Sequence, residues 1–249
     1  MTRHMTCAMQ LASPATKQML SRVLTSALFA GAAAGLLIAL LQFLFVQPVL
    51  LHAELYETGE LVHFGGAAVS AHPELPGLFA EPVRNGLSII FTMLTYTGYA
   101  LVMVALMSIA EGMGHAVTAR TGILWGLAGF VTFHLAPGFT LAPEVPGVAA
   151  ADVVSRQIWW TATVATAGIA MWLLAFGGNI VSYAIAAILL MLPHLIGAPE
   201  PESFSGPVPT EIGALFAARA FGVGLAAWAL LGCFAGYFWQ AEEKQQVPA

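Results

Sequence analysis

Residues 158–196 read IWWTATVATAGIAMWLLAFGGNIVSYAIAAILLMLPHLI, without a single Asp, Glu, Lys or Arg. As one α-helix this stretch would be about 60 Å long, at about 1.5 Å per residue. The hydrocarbon core of a bilayer is only about 30 Å thick. Gly177, Gly178 and Asn179 interrupt the run near its middle. Two membrane-crossing helices joined by a tight hairpin, over 158–176 and 180–196, satisfy both facts. That reading makes the chain a membrane protein, and the rest of the sequence can be parsed on the same ruler.

Working outward, further apolar runs cover 23–46, 87–110, 121–136 and 216–238. The expected fold is all-α: a polytopic bundle of about six transmembrane helices occupying residues 19–240. A polar, disordered tail is expected over 1–18 and a second tail over 241–249. The first run is longer than the ~7–15 residues of a signal-peptide core, so it is read as a retained anchor. Met19 is an alternative start.

Composition agrees. Of the 249 residues, 59% are hydrophobic and 8% are charged, against roughly 25% charged in soluble domains. The net charge of −5 and the lack of a basic stripe argue against nucleic-acid binding. Cys7 and Cys233 have neither metal-type spacing nor a disulfide framework. Phosphate-binding GxxxxGK[ST], HExxH and GxSxG motifs are absent from the sequence, so no enzyme is read here.

Orientation follows from Lys and Arg. Arg3, Lys17, Arg22, Arg120 and Lys244 fall on one side of a six-span chain, against Arg84, Arg156 and Arg219 on the other. Both termini are therefore assigned to the cytoplasm. Ten of the thirteen acidic residues then lie in outer loops, which would concentrate cations. The alternative is that outer loops are simply polar.

The outer loops also repeat. Each follows one pattern: a His near the outer end of an odd-numbered helix (His52, His134, His194), a Pro/Glu-rich loop, an acid, an Arg and the next helix. PELPG at 73–77 matches PEVPG at 143–147. Three parallel two-helix repeats are expected. They would set the three histidines at equivalent depths, where with Glu54 they form a candidate metal site. Imidazole suits Co²⁺, Ni²⁺ and Zn²⁺, and ionisable groups at membrane depth are functional candidates by default. The bland alternative is interfacial histidines bonded to nearby backbone. His63, His72 and Glu57 extend the first outer loop as secondary metal candidates. Glu81 with Arg84, Asp152 with Arg156, and Glu211 with Arg219 read as structural ion pairs holding loops against the bundle. The Gly122/Gly126 and Gly232/Gly236 pairs fit close helix packing. Trp159, Trp160 and Trp239 read as an interfacial aromatic belt. Glu111 and His115, at the end of the second run, read first as a glycine-rich helix end.

Several of these strings resemble the CbtA family of bacterial inner-membrane proteins. They include Arg22 through Gln47-Pro48-Val49 with His52-Ala53-Glu54, Thr132-Phe133-His134-Leu135-Ala136-Pro137, and PEVPG at 143–147. Asp152 with Arg156-Gln157-Ile158-Trp159-Trp160, and Leu192-Pro193-His194 through Pro199, complete the set. The resemblance covers about residues 19–240. It implies a cobalt transporter subunit of the inner membrane, uptake of Co²⁺ for cobalamin synthesis, and a small single-span, histidine-rich partner, CbtB. Oligomerisation is an alternative way to complete a site. A membrane-embedded haem- or metal-binding protein, or a scaffold without transport of its own, is the competing reading.

Overall fold

The computed structural model describes residues 14–63 and 81–246. Among them the only regular structure is helical. In chain order we label α1 Pro14–Leu41, α2 Gln47–Glu57, α3 Pro82–Gly112, α4 Ala119–Phe130, α5 Ala136–Thr140, α6 Val153–Phe176, α7 Ile180–Ile196 and α8 Thr210–Gln246. Two π-helical turns, Gln42–Val46 and Val131–Leu135, join α1 to α2 and α4 to α5 without a break.

All six predicted apolar runs are helical. Among the described residues, five continuous helices are long and apolar enough to cross a membrane, and α7, with 17 residues, is shorter. The first and last helices extend beyond their apolar runs. Helix α1 already starts at Pro14, inside the expected tail, and α8 continues to Gln246. Residues 1–13 of that tail lie outside the described residues.

The hairpin forms where the glycines predicted it. Gly178 turns the chain with φ of 65°, a left-handed conformation that costs glycine little. Asn179 then caps α7, its Oδ1 accepting from Ser182 N at 3.0 Å, as an N-cap amide oxygen should.

The first helix does not stop at 46 as its apolar run suggested. Pro48 has no N–H and its ring crowds the carbonyl four residues back. The chain accommodates it by widening one turn, with Gln47 N–H reaching Gln42 O, and then resumes as α2. Pro137 is met in the same way, with Ala136 N–H bonded to Val131 O. The α1–α2 and α4–α5 junctions thus share a π-turn followed by proline at a fixed offset, which adds to the repeat seen in sequence. Helix α7 passes through Pro193 as α-helix.

The burial pattern is that of a protein in lipid. Ile180 and Leu195 are 79% and 78% exposed, whereas Ala27, Ala30 and Ala34 are fully buried. Many large apolar side chains face outward while alanines line the α1 contacts, as expected where the solvent is hydrocarbon.

The chain divides into two compact units. The first comprises the described parts of Met1–Leu37, Leu87–Gly126 and Ala229–Ala249. It contains two close helix seams. A side chain at Gly31 would overlap the Thr97 backbone, and one at Gly35 would place Cβ 2.6 Å from Met93 Cα, so α1 and α3 touch backbone to backbone. The predicted small-xxx-small pairs face one another: Gly122 and Gly126 of α4 lie against Gly232 of α8, and Gly236 lies against Thr118 just before α4.

The second unit comprises Ile38–Gly86 and Leu127–Trp228, within the described residues. Its apolar centre joins Val49 and Ala53 of α2 to Val145, Val208 and Ile212, with Tyr56, Val148 and Phe216 packed around them. The proline-rich loops therefore fold onto helices. Ala149 N–H bonds Ser205 O at 2.8 Å, tying the loop before α6 to the loop before α8.

Candidate functional site

His134 lies inside the second π-turn. Trp228 of α8 donates Nε1–H to His134 Nδ1 at 2.9 Å. Phe133 stacks on the Trp228 ring at 5.2 Å and 12°. Gly224 makes room for the imidazole, since a Cβ there would lie 2.8 Å from His134 Cδ2. A neutral imidazole has one N–H and one lone pair. The indole donor occupies the lone pair on Nδ1, so the hydrogen-bond network assigns the proton to Nε2. In that state neither ring nitrogen offers a free lone pair to a cation.

His194 is held differently. It sits in the last turn of α7, beside Pro193. Its Nδ1 lies 3.1 Å from Thr140 Oγ1, and the rings of Phe139 and Trp159 flank it at 5.3 Å and 6.1 Å. When Nδ1 donates to the threonine oxygen, Nε2 keeps its lone pair. That is the usual arrangement of a metal-binding histidine, whose second nitrogen is fixed by a hydrogen bond.

His52, on α2, is half-buried with its ring 5.6 Å from Tyr56. Glu54, one position beyond Ala53, lies 3.7 Å from Arg84. The three histidines thus have three different neighbourhoods. Their prolines explain part of this: His52 follows Pro48 by four residues, His134 precedes Pro137 by three, and His194 follows Pro193 directly. Among the described residues no three His, Cys, Asp or Glu side chains converge enough to hold a metal ion. Glu57 is exposed at the end of α2, and His63 is exposed beyond it. His72 lies outside the described residues.

The expected ion pairs are partly redrawn. Glu81 and Arg84 do meet, at 3.5 Å. Arg156 turns instead to Glu144, at 2.9 Å, which pins the PEVPG loop to α6. Asp152 is taken up as the α6 N-cap, its Oδ1 accepting from Ser155 N at 2.9 Å and Ser155 Oγ at 3.0 Å. The Ser155 backbone and side-chain hydrogen bonds hold the Asp152 carboxyl below the usual carboxylate range. Arg219 donates Nη1 to Phe45 O, inside the first π-turn, at 3.0 Å, while Glu211 accepts from Thr210 Oγ1 at 3.3 Å.

One constellation was missed in sequence. Arg22 Nη1 lies 3.0 Å from Glu111 Oε2, and Trp239 Nε1 donates to Glu111 Oε1 at 2.9 Å. The Arg22 guanidinium also lies over the Trp239 ring, 3.8 Å from its centroid. Trp239 is 1% exposed, so its ring is packed inside the protein rather than presented to lipid. Trp159 is likewise buried, donating to Pro193 O at 3.3 Å. Arg22, Glu111 and Trp239 each carry an ordinary reading on their own. Only their convergence marks them, and Arg22 and Trp239 are 217 positions apart.

Over residues 20–240 the chain matches the family model described as "Probable cobalt transporter subunit (CbtA)". No curated protein and no solved structure matches it. With a family match across most of its length, and the apolar helices of a multi-pass membrane protein, this chain belongs to the CbtA family.

Proposed function

We propose that the chain is the multi-pass subunit of a cobalt uptake system in a bacterial inner membrane, delivering metal for cobalamin synthesis. Both termini face the cytoplasm, following the distribution of Lys and Arg. The acidic outer loops gather Co²⁺ near Glu54 and His52, with Glu57, His63 and His72 extending that approach. The ion then contacts His134 and His194 on its way between helices. A small, single-span CbtB-like subunit with a histidine-rich end supplies further ligands.

The observation that carries this reading is the state of two imidazoles close to prolines within continuous apolar helices. His134 and His194 each have Nδ1 engaged by a named side chain, Trp228 and Thr140 respectively. Ionisable groups in such helices are costly and mark ion pathways. Their separate neighbourhoods fit cargo better than a resident ion, because a transported ion must bind weakly enough to leave. Co²⁺ accepts imidazole and carboxylate together, and Ni²⁺ and Zn²⁺ are its natural competitors.

The test is the triple change of His52, His134 and His194 to alanine in cells accumulating cobalt through this protein. Loss of accumulation with the protein still in the membrane is expected. Undiminished uptake in the triple variant would refute the residue assignment.

A further inference from the structure

Within the first compact unit, the contacts are of two different mechanical kinds. Helices α1 and α3 meet through Gly31 and Gly35, and α4 meets α8 through Gly122, Gly126 and Gly232. At these seams the neighbour of each glycine is largely backbone, so no rotamer change can separate them. Each pair behaves as one body.

Between the two pairs lies a different kind of contact, made by side chains. Arg22 and Glu111 belong to the α1·α3 pair and form a two-point ion pair, with Nη1–Oε2 at 3.0 Å and Nη2–Oε1 at 3.4 Å. Trp239 belongs to α8. It donates Nε1–H to Glu111 at 2.9 Å, accepts from Arg22 Nη2 through its carbonyl at 3.1 Å, and offers its ring face to the guanidinium. Glu243, one turn further along α8, lies 3.7 Å from Arg22 Nη2. Charge-assisted hydrogen bonds and cation–π contacts are strong when shielded, yet they can be exchanged for water in one step. Packed glycine seams cannot.

We propose that Arg22, Glu111 and Trp239 form a releasable latch between the α1·α3 pair and the α4·α8 pair, so that its opening parts the pairs while both seams stay intact. Two rigid bodies joined by a breakable polar contact are a recurrent way to build a two-state protein. The latch rests on the transport reading only where its opening is taken as a step of transport.

Ser26 provides the probe. It is fully buried, one turn along α1 from Arg22. In the full-length protein with Cys7 and Cys233 changed to alanine, Ser26→Cys is labelled with N-ethylmaleimide in membranes. Thr163→Cys, 1% exposed on α6, is the control. Glu111→Gln weakens the latch while keeping side-chain shape, and Trp239→Phe keeps a ring while removing the N–H donor. Either change should speed labelling at Ser26→Cys by at least about tenfold, the scale of one lost hydrogen bond to a charged group, and leave Thr163→Cys unchanged. An unchanged rate at Ser26→Cys would overturn the latch. So would an equal rise at both probes, which would mean general loosening. Labelling reads the latch directly, so a failure of cobalt uptake does not alter what the labelling rates say about it.

Discussion

Trp228 donates its indole N–H to Nδ1 of His134 across 2.9 Å, and so occupies the lone pair that a metal ion would need. His134 is thereby kept as a closed acceptor until something displaces the indole. Its neighbour in chemistry, His194, is held by Thr140 and can keep Nε2 open.

This difference predicts a gain on mutation. Trp228→Phe keeps an aromatic ring against Phe133 and releases Nδ1. A hydrogen bond of this kind is worth about 1 kcal/mol net, so Co²⁺ should bind the variant about fivefold more tightly. Competition binding on purified protein checks it, and His134→Ala should abolish the gain. Unchanged affinity would mean that the indole does not guard the imidazole.

Gly224 should tolerate no side chain. A Cβ at this position would stand 2.8 Å from His134 Cδ2 and 3.3 Å from Nε2. Gly224→Ala is expected to move the imidazole and lower cobalt uptake severalfold, with a change in thermal stability no larger than the ~1–3 kcal/mol of a single overpacked methyl. Uptake at the wild-type level would show that the ring position is not critical.

The α4·α8 seam should be sensitive to one methyl group. Gly232 would set a Cβ 2.6 Å from Gly126 N and closer still to Gly122 O. Gly232→Ala should lower stability by roughly 1–3 kcal/mol, read as a drop in Tm in detergent. Gly213 of α8, with nothing near its absent side chain, should accept alanine without loss.

Asp152 predicts a pH-dependent contribution from the α6 cap. Its carboxyl is held below the ordinary aspartate value of 3.8, chiefly by the Ser155 backbone N–H. A depressed folded-state pKa stabilises above the unfolded value and is lost as pH falls through the folded one. Asp152→Asn keeps a capping oxygen but not the charge. Wild type should therefore exceed Asp152→Asn in thermal stability at about pH 6, with the gap closing below about pH 3.8. A gap independent of pH would point to cap geometry rather than charge.

Much of the fold was legible in sequence because bilayer thickness sets a length scale that apolar runs must meet. The hairpin at Gly177 to Asn179 and the facing glycine pairs follow from local rules. The continuation of the first helix through Pro48 was not legible, because proline usually ends a helix and the π-turn that rescues it depends on backbone hydrogen bonding across five residues. The site was harder. Each histidine could be found by type and depth, but its partner lies elsewhere in the chain: Trp228 for His134 and Thr140 for His194. Arg156 was expected to pair with Asp152 four residues away, yet Asp152 is occupied by Ser155, which leaves Arg156 to Glu144. Local spacing ranks such contacts and tertiary geometry chooses among them.

Whether this protein moves cobalt is tested most directly by accumulation of radioactive cobalt in cells expressing the chain, with and without a CbtB-like partner, and with nickel and zinc as competitors. We expect accumulation that requires both the chain and the partner, and that nickel reduces more than zinc does if the site is built for octahedral N/O coordination. Cobalt levels no higher than in cells lacking the chain, in membranes shown to contain both proteins, would contradict a role in cobalt uptake.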